Sequence, residues 1–206
     1  MQPQPEAPQT VAQRLWEAAR LEFSLRGYRG ARVQAIAQTA GCNVALIYRV
    51  WRSKEELYMA ILRSIRQEVS SRIVAALGEG QESIRTVVAA YLDAMMRDPV
   101  AARIVVREIV DGGRFLSQLG ELDPGLVQPV RHAAAKLAGA SSISQLRPGL
   151  DPMLSVITVA SVAALGASTQ EATASYLGGD VAPEQVRRHL HDVLLHGLAL
   201  PDDSTD

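Results

Sequence analysis

The stretch from Val33 to Val50 restricts the fold of this chain more than any other. It reads Val-Gln-Ala-Ile-Ala-Gln-Thr-Ala-Gly-Cys-Asn-Val-Ala-Leu-Ile-Tyr-Arg-Val. Ile36, Ala37 and Ala40 recur at helical intervals and stop at Gly41, which fits a sharp turn needing a positive φ. Asn43 is placed to cap a second short helix, along which Val44, Ile47 and Val50 give an apolar side. Ala37 is small where two steeply crossing helices would come close, and Cys42 occupies a turn position that wants a buried apolar group. The spacing predicts a helix-turn-helix, a unit that lays one helix against DNA. Asn43, Ala45, Tyr48 and Arg49 are left for the outer face. Asparagine can pair with adenine, and arginine with guanine, through two hydrogen bonds in the major groove.

Charge supports that reading. Residues 1–66 hold ten Arg or Lys against five Asp or Glu, whereas residues 67–206 hold eleven against seventeen. A basic N-terminal part joined to an acidic remainder fits one end facing nucleic acid and a body that does not. A single cysteine excludes an internal disulfide framework and fits a reducing compartment, so a cytoplasmic location is expected. Residues 1–9 are polar and proline-rich, without the apolar core of a signal peptide, and are read as a disordered tail.

No strand-like alternation and no internal repeat is present, and an all-α fold is predicted from Thr10 to Leu200. Helices are expected over Thr10–Leu25, the two of the motif, Lys54–Leu77, Gln81–Arg97, Pro99–Asp111, Arg114–Leu119, Pro124–Leu137, Pro152–Tyr176 and Pro183–Leu200. Ser53 and Glu56 form a capping-box pair opening the fourth. Ala140–Gly149 reads as a loop. Domains are placed at 10–57 and 58–200, with residues 201–206 a tail. The segment Pro152–Gln170 carries no charge. Its serines and threonines, initial proline and lack of basic flanks argue against a membrane span. Burial on most sides is expected instead, which in a chain of 206 residues points to a subunit interface.

The run from Arg14 through Tyr58 resembles the DNA-binding domain of TetR-type transcriptional repressors. The matching residues are Ala18-Ala19, Phe23, Gly27-Tyr28, Val33, Ile36-Ala37, Ala40-Gly41, Leu46, Tyr48, Trp51 and Ser53-Lys54-Glu55-Glu56-Leu57. Arg32 departs from the pattern, standing where the family usually has Thr or Ser, and Trp51 replaces the commoner Phe. The resemblance implies an N-terminal three-helix domain and a C-terminal ligand-binding and dimerisation domain. It also implies a homodimer joined through the last two long helices, on a palindromic double-stranded operator. DNA-binding residues are then Arg32, Asn43, Val44, Ala45, Tyr48, Arg49 and Lys54, with Tyr48 and Lys54 at positions that commonly reach phosphates. The implied function is a transcriptional regulator released from its operator by an unknown small molecule. The alternatives are a small-molecule-binding or interaction protein whose helix-turn-helix no longer binds DNA, or an activator of the same fold.

In the C-terminal part, Tyr91, Met95, Phe115, Met153 and Tyr176 are candidates to line a ligand pocket or to form plain core. Arg103 and Arg107, within the Arg97–Asp111 charge cluster, read as a solvated ion-pair ladder or as polar anchors for that ligand. His189, His191 and His196 lack the i, i+3 or i, i+4 spacing of helical metal ligands, and no metal or cofactor is expected. Cys42 has no partner and reads as a small buried hydrophobe. No phosphate loop, nucleophile elbow or usable His–carboxylate pair appears, so an enzyme is not expected.

Overall fold

The computed structural model describes residues 10–78, 84–126, 128–138, 146–176, 178–179 and 182–198. Its helices are α1 (Val11–Gly30), α2 (Val33–Thr39), α3 (Val44–Val50), α4 (Lys54–Gly78), α5 (Ile84–Met96), α6 (Pro99–Val110), α7 (Arg114–Leu122), α8 (Gln128–Ala138), α9 (Pro152–Ser168), α10 (Gln170–Tyr176) and α11 (Pro183–Leu198), with a 3₁₀ turn at Pro124–Leu126. Two compact units result, Met1–Ile61 and Leu62–Asp206, and the division falls inside α4.

In the first unit, Thr10 opens α1 with a reciprocal cap. The Gln13 amide donates to Thr10 Oγ1 (3.2 Å), and the Thr10 amide donates to Gln13 Oε1 (2.8 Å). The sequence ends this helix near Leu25. In the structure the helical path breaks at Gly27 (φ 65°, ψ 178°), a conformation that glycine adopts without a Cβ clash, and a further turn runs on to Gly30. Leu15, Ala18, Ala19 and Phe23 of α1 are buried, as are Ile36, Ala37, Ile47, Leu57, Tyr58 and Ile61 of the following helices. The Tyr58 ring lies 4.8 Å from Phe23 and 5.2 Å from Tyr28, centroid to centroid.

In the second unit α9 is central, packing on α5, α6, α8 and α11. Val156, Val159, Ala163 and Ala167 of α9 meet Val88, Tyr91 and Leu92 of α5 and Leu194 and Leu195 of α11 in one core. Gly166 faces α11, where an added Cβ would press on the end of the Leu190 side chain. The single helix expected over Pro152–Tyr176 is two. The Ser168 and Thr169 hydroxyls both donate to the Leu165 carbonyl, at 2.8 and 2.9 Å, competing with the backbone ladder where α9 stops. The start of the Gln81–Arg97 helix and most of the Ala140–Gly149 loop lie outside the described residues. Among the described residues no helix is long and apolar enough to cross a membrane.

The Arg97–Asp111 cluster divides. Arg107 is exposed, but Glu108 is buried in α6. Its Oε1 accepts from the Phe115 amide (2.6 Å) and the Leu116 amide (3.3 Å), two of the orphan donors that open α7. Gly113, the residue before α7, has no side chain to cap it, and Glu108 does so from the preceding helix. Glu108→Ala leaves these donors buried and unpaired. A loss of about 2 kcal/mol is expected, read as a lower urea midpoint at unchanged slope, with Glu108→Gln retaining part of the stability.

Candidate nucleic-acid interface and cavity

The turn between α2 and α3 forms from three backbone bonds. The Ala40 amide donates to Ile36 O (3.0 Å), Gly41 to Gln38 O (3.1 Å) and Cys42 to Ala37 O (3.0 Å). Gly41 has φ 65°, and an added Cβ there would touch nothing. Glycine is required for its backbone conformation, not for space. Arg14 Nε fastens the turn from α1 by donating to the Ala40 carbonyl (3.2 Å). Cys42 is half-buried.

Asn43 caps α3, its Oδ1 accepting from the Ala45 amide at 2.9 Å. The cap occupies one lone pair and leaves both amide N–H donors for other partners. Ile47 is the anchor of α3, fully buried, with Val44 and Leu46 half-buried. Val50, expected on the apolar side, is 53% exposed because it stands in the last turn of a seven-residue helix that only Ile47 buries. Asn43, Ala45, Tyr48 and Arg49 are all exposed. Neither Tyr48 nor Arg49 makes a side-chain hydrogen bond or ion pair among the described residues, so both present uncommitted polar groups.

The flanking cations differ. Arg32 is exposed and precedes α2 without a side-chain cap, its amide donating instead to Glu22 Oε1 (3.1 Å). Lys54 is held: Nζ donates to the Ala31 carbonyl (3.1 Å) and lies 4.7 Å from the centre of the Tyr28 ring. An ammonium has three donors, so this anchoring leaves capacity for a phosphate. Ser53 Oγ accepts from the Glu56 amide (3.0 Å), and Glu56 Oε2 from the Arg52 amide (2.8 Å), which fixes the start of α4.

Residues 15–61 match the family model described as "Bacterial regulatory proteins, tetR family". Over those residues the chain is similar to the DNA-binding domain of the TetR family. Its all-α architecture with an N-terminal helix-turn-helix is that of TetR regulators, and it is a DNA-binding regulator of transcription. A relative across most of its length is the HTH-type transcriptional repressor NicS of Pseudomonas putida, 24% identical over 88% of this chain and 89% of that protein. The ketosteroid transcriptional regulator KstR2 of Mycobacterium tuberculosis shares the fold (TM-score 0.67, 20% identity, 95% of this chain and 99% of that one). So does FadR of Bacillus subtilis, solved in complex with stearoyl-CoA (TM-score 0.65, 16% identity, 90% and 98%).

The second unit holds a cavity of about 460 Å³. Tyr91, Met95 and Met153 line it, together with Ile65, Val69 and Ile157. The other four residues singled out from the sequence stand elsewhere. Phe115 is buried in the α7 packing, Arg103 is half-buried on α6, Arg107 is exposed, and Tyr176 is 90% exposed on α10. The cavity's charged residues are Arg66 of α4 and Arg131 of α8, which the sequence reading did not single out. Arg66 sits in an ordinary amphipathic helix, and only the helix packing shows that it faces a void. Burial raises the Tyr91 pKa to about 12, against the opposing pull of Arg66, so its hydroxyl is a proton donor at neutral pH. Among the described residues no cluster of three His, Cys, Asp or Glu side chains could hold a metal.

Proposed function

We propose that this TetR regulator represses transcription as a homodimer on a palindromic operator and is released when a small molecule fills the α4–α5–α9 cavity. The observation that carries the reading is α4 itself. It supplies Lys54 and Tyr58 to the DNA-binding unit and Ile65, Arg66 and Val69 to the cavity wall, in one unbroken helix. A ligand bound more tightly in a DNA-incompetent state would act through that helix, and by linkage would itself bind the DNA complex more weakly by the same factor. The α3 helices of a dimer would enter successive major grooves, with half-sites roughly 34–36 Å apart. Asn43, Ala45 and Arg49 would face base edges. Val44 would lie at the groove wall, with Arg32, Tyr48 and Lys54 against phosphates. FadR with stearoyl-CoA shows that this fold can hold a small molecule.

The test is titration of DNA flanking the protein's own coding region. Arg49→Ala is expected to cost about 1–3 kcal/mol on the operator and to relax preference at one position. Lys54→Ala is expected to weaken all sequences alike and to lower the salt slope by about 0.9. Because Lys54 also holds the Ala31 carbonyl, its variant is compared at a temperature where the fold is intact. Equal, sequence-blind losses in both variants would reduce Arg49 to a phosphate contact. An absence of operator binding by the unsubstituted chain would leave the DNA-inactive alternative.

A further inference from the structure

Arg66 is the unusual group of the second unit. Its Nε is buried, and among the described residues it has no hydrogen-bond partner. A charged donor left in that state costs more than a neutral one, so it calls for a partner that the protein itself does not supply. Its neighbour along the same helix shows the contrast. Arg72 bonds Glu68 (2.6 Å) and Asp93 (3.2 Å), and Asp93 is shared with Arg97 (2.8 Å). Carboxylates are therefore available on α4 and α5, yet none lies in the cavity. Its wall has two arginines and no Asp or Glu, and the rest is aliphatic, Met, Tyr, Ala and Ser. Desolvation disfavours the charge on Arg66, but a guanidinium stays protonated at neutral pH. The Tyr91 hydroxyl, kept neutral beside it, adds a second donor.

We propose that the effector is an apolar monocarboxylic acid whose carboxylate pairs with Arg66 inside this cavity while its hydrocarbon body lies against Val69, Met95, Met153 and Ile157. This rests on the reading of the cavity as the effector site. A guanidinium fork matches a carboxylate through two parallel bonds, and a water-poor wall strengthens the pair. Arg131, exposed on α8, lies at the cavity and adds attraction for an entering anion without being desolvated. An uncharged ligand of the same shape would fill the apolar space and leave the Arg66 Nε as it is now.

The experiment is calorimetric titration of the full chain with decanoate and 1-naphthylacetate, each against its alcohol, decanol and 2-(1-naphthyl)ethanol. At least one acid is expected to bind ten-fold or more tighter than its alcohol. Arg66→Met, which keeps the apolar stem, is expected to remove that preference while leaving alcohol binding within about threefold. An alcohol that equals or exceeds its acid, or failure of both acids to bind, overturns the proposal. This comparison uses the unsubstituted protein and holds even if Arg66→Met fails to fold. A preference that survives in a folded Arg66→Met also overturns it. Operator DNA is titrated in parallel. Arg66-dependent acid binding that leaves DNA affinity unchanged supports the anion site and defeats ligand-released repression, so the two readings fail separately.

Discussion

Phe23→Ala is expected to remove about 3–5 kcal/mol from the DNA-binding unit, enough to unfold it in a marginally stable protein. Phe23 is fully buried, and its ring pairs with Tyr58 at 4.8 Å, so the substitution opens a cavity and breaks an aromatic contact together. The chain's two tryptophans make the loss visible. Trp16 and Trp51 both lie in the first unit, 6.2 Å apart. Intrinsic tryptophan fluorescence therefore follows this unit alone. Its urea midpoint is expected to fall sharply in Phe23→Ala, with loss of operator binding, while most far-UV ellipticity from α5 to α11 survives. A tryptophan transition within 1 kcal/mol of the unsubstituted chain would show that Phe23 is not the keystone of this core.

Most of that unit was legible in the sequence because its determinants are local. Gly41, the Asn43 cap and the Ser53–Glu56 pair each act within four residues, and each is found where the spacing puts it. What escaped was tertiary. Nothing in the sequence distinguishes Val50 from Ile47 as a core residue, or shows that Lys54 reaches back to Ala31. The second unit was read less well for the same reason. Tyr91, Met95 and Met153 come together at the cavity, while Arg66 and Arg131 reach it from α4 and α8, elements far apart in sequence. The charge cluster hid Glu108, whose neighbours Arg107 and Asp111 are exposed, because a carboxylate that caps the next helix looks in sequence like one more surface charge.

The expected subunit interface shows the largest gap between pattern and packing, and it sets the second large prediction. A charge-free helix marks every one of its residues as a candidate for the partner, yet Ala164 of α9, like Leu194 of α11, is buried within the single chain, and an arginine at either would disrupt the core. The apolar side chains left uncovered are different ones: Leu154 (64% exposed), Ile157 (48%) and Leu165 (54%) on α9 and Val193 (54%) on α11. Leu154, Thr158, Ser161 and Leu165 follow one another at three- or four-residue intervals and are all exposed, so they form one stripe along α9. If this stripe is the two-fold interface, a substitution enters it twice. The double variant Leu154→Arg, Leu165→Arg is then expected to weaken the dimer by about 3 kcal/mol or more, roughly a hundredfold or greater. Its tryptophan transition and helical content are expected to stay within error, since neither side chain is part of the core. Operator affinity falls with the dimer, because a lone DNA-binding unit loses the roughly 10²–10⁴-fold gain of engaging two linked half-sites. Light scattering and operator titration on the same samples decide it. A folded double variant that remains dimeric would place the interface elsewhere, and a monomeric unsubstituted chain would remove the dimer on which the palindromic operator depends.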